Sequence, residues 1–159
     1  AMERREADLC LYAGGEGKNF EWLPLCEDQM LALVPPGHPL AEGAFVPLES
    51  FLAEPFIMPM QGYDGEVHDI LSNLPQQPHI LFSACSDYAI ISMVAKGLGV
   101  SILADLLLRN YPNDAVALPI QPPQFRMLGM GVPQVKTASP MTRNFMRYVQ
   151  AYVEKMKQI

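Results

Sequence analysis

The sequence predicts an α/β protein, and three observations carry that prediction. Strand-length apolar runs alternate with stretches of helical period, glycine and proline mark the switches, and Pro78 to Leu103 reads as a complete strand, helix and strand. Within that last stretch, His79 to Ala84 has the apolar run of a buried strand. Ser86 is placed to cap the helix that follows, and Asp87 lies in its first turn, where a carboxylate suits the positive end of the helix dipole. Tyr88, Ile91, Val94 and Ala95 recur at three- and four-residue spacing and predict the buried stripe, and Gly97 offers the left-handed residue that ends a helix. Gly99 to Leu103 is the second strand. A short crossover between parallel strands is right-handed, which puts the Cys85–Asp87 turn at the carboxyl edge of a sheet, where open α/β folds hold ligands.

The other elements follow in order. Ala7 to Ala13 reads as a short parallel-type strand running into Gly14-Gly15, with Gly17 and Lys18 beyond. Phe20 to Leu25 and Gln29 to Val34 are two further strands, the second closed by Pro35-Pro36-Gly37. Pro47 to Ala53 is long enough for a helical turn or two, Pro55 stops it, and Phe56-Ile57-Met58 is a strand ending at Pro59. Asp64 is the expected cap of a helix whose apolar positions are Val67, Ile70, Leu71 and Leu74. A short helix is expected over Ala104–Asn110, then a strand over Val116–Ile120, a joint at Pro122-Pro123 and a strand over Arg126–Val132. Ser139-Pro140 is a cap followed by proline at the first helical position, and the last helix offers Phe145, Val149, Tyr152, Val153 and Met156 as its apolar face.

Half of the 159 residues are apolar, enough for a sizeable core, and the formal charge is −6 with a pI near 4.9. The eleven basic residues are scattered, which argues against nucleic-acid binding by this chain alone. The sequence has neither a bilayer-length apolar run nor a signal-like start, so a cytoplasmic location is expected, and Ala1 before Met2 has the look of a vector residue. Cys10, Cys26 and Cys85 are odd in number and far apart, which suits reduced core thiols.

Catalytic chemistry finds little support in the residues. His38, His68 and His79 make no i,i+4 pair and no Cys–His spacing, so no metal or other cofactor is expected. Gly97-Leu98-Gly99-Val100 lies between a helix end and a strand, the reverse of a phosphate cradle, and Asp87 beside Cys85 has no neighbouring histidine. The positive candidates are contact positions: Met60, Gln61, Gly62 and Tyr63 before one helix, and Cys85, Ser86, Asp87 and Tyr88 before another, with Ala13, Gly14 and Gly15 at the end of the first strand. Helix N-termini at such turns favour carboxylates or phosphates. The same turns are equally well read as plain helix caps.

The order of motifs resembles the effector-binding region of LysR-type transcriptional regulators. The pieces are Ala7-Asp8-Leu9, the run Glu27 to Ala41 with its Pro-Pro-Gly-His-Pro-Leu-Ala, Glu54-Pro55-Phe56-Ile57, Ser86-Asp87 through Met93-Val94 to Gly97-Leu98-Gly99-Val100, and Ser139-Pro140 to Phe145. The resemblance implies a periplasmic-binding-protein-like (type II) fold, two α/β lobes joined by two crossing strands, with a small effector between them. On that template Asp28 to Val34 and Arg126 to Val132 are the crossing strands. Residues 27–126 form the second lobe, and 1–26 with 127–159 form an incomplete first lobe whose opening segment, like the helix-turn-helix, is absent. The implied function is effector sensing by a transcription regulator and not catalysis, with contact with DNA only through that absent domain, and the apolar faces of Ala7–Ala13, Arg126–Val132 and the helix from Ser139 predict a homodimer or larger assembly. A transporter's solute-binding protein shares the fold. A dehydratase or deaminase on the same fold is disfavoured, because a prephenate dehydratase would carry Thr-Arg-Phe where this chain has Thr142-Arg143-Asn144-Phe145.

The acidic balance yields one prediction. In a gel-mobility assay the purified 159-residue chain should leave duplex DNA unshifted at micromolar concentration; tight, sequence-dependent binding would contradict it.

Overall fold

The computed structural model of the chain describes residues 7–15, 20–60, 64–109 and 114–156. Seven strands and four helices run in the order β1 (Cys10–Ala13), β2 (Glu21–Val34), β3 (Val46–Pro47), β4 (Phe56–Pro59), α1 (Asp64–Leu71), β5 (Ile80–Ala84), α2 (Asp87–Ala95), β6 (Ser101–Ala104), α3 (Asp105–Leu108), β7 (Val116–Val132) and α4 (Pro140–Met156), with two short 3-10 segments at Pro39–Glu42 and Leu48–Ala53. They divide into two compact units, residues 1–28 with 126–159 and residues 29–125.

The larger unit is layered, and side-chain alternation along its strands shows why. On β2, Met30, Ala32 and Val34 enter one core while Leu33 enters the other; β6 divides the same way, Ile102 and Ala104 against Leu103, and β4 as Phe56 against Ile57. The first core is closed by Val67, Ile70 and Leu71 of α1 and by Phe51, the second by Ile90, Ile91 and Val94 of α2. A sheet buried on both faces calls for unbroken apolar strands, which Met30 to Val34 and Ile102 to Ala104 supply. β4 lies at its centre: it pairs in parallel with β5 on one side and bridges in parallel to Val100, at the head of β6, on the other. The expected strand, helix and strand is therefore present, with β4 inserted between its two strands.

Two glycines set the return. Gly97 (φ 78°) closes α2 with the paired hydrogen bonds of a Schellman motif, from its own N–H to Val94 O at 2.8 Å and from Leu98 N–H to Met93 O at 3.1 Å. Gly99 (φ 156°) lies flat against β4, where a Cβ would collide with the carbonyl oxygen of Pro55. That closeness lets Val100 N–H donate to Pro55 O and Ile57 N–H donate to Val100 O, each at 2.8 Å. Buried Ser101 donates to Ile57 O at 2.8 Å and completes the seam. In the Pro-Gly-His-Pro turn, His38 Nδ1 accepts from Leu40 N–H at 3.2 Å and its Nε2 faces Glu54 Oε2 at 3.3 Å, so this histidine ties the cap of the first 3-10 segment to the end of the second.

The smaller unit has one small core. β1 pairs with β7 antiparallel, Cys10 opposite Gly131 through Ala13 opposite Leu128, and Met130, Val132 and Met146 are buried there with Leu9, Leu23, Leu25, Val135 and Val149 against them. Ser139 caps α4 as expected, its hydroxyl accepting from Thr142 N–H at 3.1 Å.

Several expectations are corrected. β1 is antiparallel to its described partner, not parallel, because the strand it joins is the returning β7. The two strands expected over Phe20–Leu25 and Gln29–Val34 are one, and Asp28, a residue type that favours turns, instead spends its carboxylate on Arg126 of β7. Val116–Ile120 and Arg126–Val132 are likewise one 17-residue strand, and Pro122-Pro123 is no joint: both prolines are exposed and their fixed φ suits extended backbone. β5 is exposed along Ile80, Leu81, Phe82 and Ser83, not buried, because among the described residues it pairs only with β4 and stands at an edge. Tyr88 faces solvent, and Ile90 takes its place in the stripe of α2. Asp64 is already the first helical residue, and α1 ends at Leu71, ahead of Leu74. α3 is shorter than expected, Asp105–Leu108, and Asn110 lies outside the described residues. On α4 the inward stripe is buried Thr142 and Met146 with half-buried Val149 and Val153, while Phe145, Tyr152 and Met156 are exposed. Cys85 is exposed and Cys10 and Cys26 are half-buried, so none is a core thiol, though all three are free.

The two serines that precede helices behave differently, since Ser86 makes no side-chain cap bond. Replacing Ser139 with alanine should cost about 1 kcal/mol in urea unfolding, and Ser86→Ala should stay within about 0.5 kcal/mol of the parent. Equal losses at both positions would contradict the assignment.

Candidate functional site

In the larger unit the site is built on the carboxyl ends of the two parallel strands β4 and β5. Their register ends with Pro59 opposite Ala84, and Met60 N–H donates to Ala84 O at 2.8 Å, so Met60 and Cys85 leave the sheet side by side. From Cys85 the chain passes through Ser86, extended at φ −126° and ψ 125°, into α2 at Asp87, whose first turn is completed by Ile90 N–H donating to Ser86 O at 3.0 Å. Met60, Cys85, Ser86, Asp87 and Tyr88 are thus gathered at one sheet edge and one helix N-terminus. Gln61, Gly62 and Tyr63, the other candidate positions there, lie outside the described residues.

The surface this makes has two characters. Met60 is 46 % and Tyr88 61 % exposed, and they present a thioether and an aromatic ring to solvent. Between them the positive end of the α2 dipole emerges with the exposed hydroxyl of Ser86, which the helix does not use as a cap. Asp87 supplies a carboxylate in the first turn, half-buried and engaged. Among the described residues no group of three or more His, Cys, Asp or Glu side chains is arranged to hold a metal ion.

Ala13, Gly14 and Gly15 belong to the smaller unit. Ala13 pairs with Leu128, and Gly14 N–H continues the ladder to Met127 O at 3.0 Å. Tyr12 holds the strand end, its hydroxyl donating to Gly15 O at 3.0 Å while its ring packs on Trp22 (centroids 4.5 Å apart) and edge-on to Phe20 (5.9 Å). Burial pushes the Tyr12 phenol above its ordinary value, and Cys10 adds to the shift, so the group stays a donor at neutral pH. Sequence reading did not single out Tyr12; a tyrosine three residues before a glycine carries no recognisable signal.

A parallel sheet edge with a helix N-terminus is where open α/β folds hold ligands, and the fold is of the periplasmic-binding-protein-like type II class that its structural neighbours share. The comparisons give the family. The LysR substrate binding domain profile matches residues 1–154, and the chain belongs to that family as an effector-binding domain. The HTH-type transcriptional regulator YybE of Bacillus subtilis strain 168 is 29 % identical over 151 residues, covering 93 % of this chain and 52 % of that protein. The transcriptional dual regulator GltC of the same organism is 27 % identical over 165 residues, covering 99 % and 55 %. The chain therefore spans about half the length of the curated relatives it matches. Among solved structures, the regulatory domain of CcmR from Synechocystis PCC6803 in complex with 2-PG superposes with a TM-score of 0.86 at 22 % identity, covering 98 % of this chain and 77 % of that one. The effector-binding domain of QuiR in complex with shikimate gives 0.82 at 21 % identity, covering 96 % and 75 %.

Proposed function

We propose that the chain senses a small carboxylate with an apolar or aromatic part, on behalf of a cytoplasmic, DNA-bound transcription regulator, and that it has no enzymatic activity of its own. The observation that carries this reading is Ser86: a hydroxyl at a helix N-cap that the helix leaves unused, set beside Met60 and Cys85 at the strand ends. A carboxylate there gains a hydroxyl donor and the positive end of α2, and its apolar body rests on Met60 and Tyr88. Gln61, Gly62 and Tyr63 belong to the same proposed surface. Asp87 sets the charge, because its carboxylate repels multiply charged anions from the same helix end. Shikimate, named with QuiR, is a carboxylate of this size. The relatives are transcriptional regulators, which supports the regulatory role over transport or catalysis.

A thermal-shift panel tests the ligand class. Benzoate or shikimate should raise the melting temperature increasingly with concentration, and Ser86→Ala should weaken that binding by about tenfold without changing the unliganded melt. Stabilisation by a neutral sugar or a cation but by no carboxylate would overturn the proposal.

We also propose self-association through the smaller unit. Met141, Phe145, Tyr148, Tyr152 and Met156 form one exposed stripe at helical spacing along α4, and Leu11 is exposed on β1, an apolar surface of the kind that drives association. The second half of β7, expected to contribute, does not, since Gly129 to Val132 are buried. Light scattering at micromolar concentration should give a dimer or larger, and Phe145→Glu with Tyr148→Glu should give a monomer. A monodisperse parent monomer that binds no apolar dye would contradict this.

A further inference from the structure

We infer that the smaller unit carries a second ligand site, for an amphipathic anion, in the groove between α4 and the outer edge of β2. The groove measures about 520 Å³, within the range of small-molecule pockets, and every residue lining it belongs to this one unit. Its floor is apolar: Leu23 of β2, Val135 of the loop after β7 and Met146 of α4, all members of the unit's core. Its rim is cationic. Arg143 and Arg147 stand one helical turn apart on α4, with Asn144 and Gln150 beside them.

Two features make this more than a surface dip. Like charges at i and i+4 on one helix face destabilise the helix by a few tenths of a kcal/mol, and an anion bridging them reverses the sign of that interaction. Arg147 is held by a hydrogen bond to Asn144 Oδ1, while the guanidinium of Arg143 makes no ion pair among the described residues. Glu21 is held at the loop backbone, its Oε1 accepting from Val135 N–H at 3.2 Å, and among the described residues it makes no ion pair with either guanidinium. Arg143 lies in the first turn of α4, where the helix dipole adds to its field. The groove also stays open in the sheet: β1 flanks β7 on one side, and the Glu21–Asp28 half of β2 has no described strand on its other side, because β6 pairs only with Met30–Leu33. The stripe proposed for self-association occupies the opposite flank of α4, so the two surfaces do not compete.

A chain with an apolar tail and one anionic head matches this arrangement, tail on Leu23, Val135 and Met146 and head between the guanidinium groups. Octanoate is the probe, and methyl NMR with titration is the measurement. Octanoate should shift the methyl signals of Leu23, Val135 and Met146, and Arg143→Gln with Arg147→Gln should raise its dissociation constant by about tenfold, while octan-1-ol binds parent and double variant alike. Ser86→Ala should leave octanoate binding in the groove unchanged, which separates this site from the one on α2. The inference is overturned if the groove methyls stay unshifted, if the double variant binds octanoate as the parent does, or if Ser86→Ala abolishes the binding.

Discussion

One buried ion pair governs how the strands of this protein are set against one another. Asp28 on β2 and Arg126 on β7 have side chains only 1 % and 7 % exposed, and Arg126 Nε and Nη2 both donate to Asp28 Oδ2, at 2.9 and 2.8 Å. Removing either partner would leave a buried charge uncompensated at a cost of about 3–5 kcal/mol, whereas replacing both with apolar groups of similar volume is often neutral. Its value therefore lies in specification. A one-residue slip of either strand would turn the charge to the opposite face and, with it, every core residue that follows. On β2 those are Met30, Ala32 and Val34 on one face and Leu33 on the other.

The two proposed surfaces follow from what the strands do beyond that point. In the larger unit, parallel pairing of β4 and β5 brings two chain segments out at one edge, and α2 begins where β5 ends. In the smaller unit, the first half of β2 has no described strand on its outer side, and α4 packs over it through Met146 and Val149 with its arginines on the flank. One proposed surface has a hydroxyl and a helix end as its polar part and the other a pair of guanidinium groups, so the two differ in the strength of the hydrogen bonds they offer.

Much of this was legible in the chain itself, for local reasons. Gly97 and Ser139-Pro140 act through their own backbone and nearest turn, and the structure finds them doing what their chemistry dictates. Met30 to Val34 and Ile102 to Ala104 are apolar without interruption, which only a sheet covered on both faces accommodates. What escaped reading is what depends on distant partners. Ile80-Leu81-Phe82 has the composition of an interior strand, and its exposure follows from its place at an edge. Pro122-Pro123 punctuates most chains but here lies within an extended strand. Ser86 has the right residue type and backbone for a cap and still does not make the bond. Asp28 and Arg126 are 98 positions apart, and nothing in either neighbourhood announces the other.

Gly97 and Gly99, separated by a single leucine, have opposite mutational tolerances. Around Gly97 a Cβ would meet open space, so the barrier to substitution is the backbone angle alone, which asparagine satisfies at modest expense. At Gly99 the carbonyl of Pro55 occupies the volume any side chain would need, and no choice of residue removes that conflict. A library randomised across this loop would retain variety at the first position and return to glycine at the second.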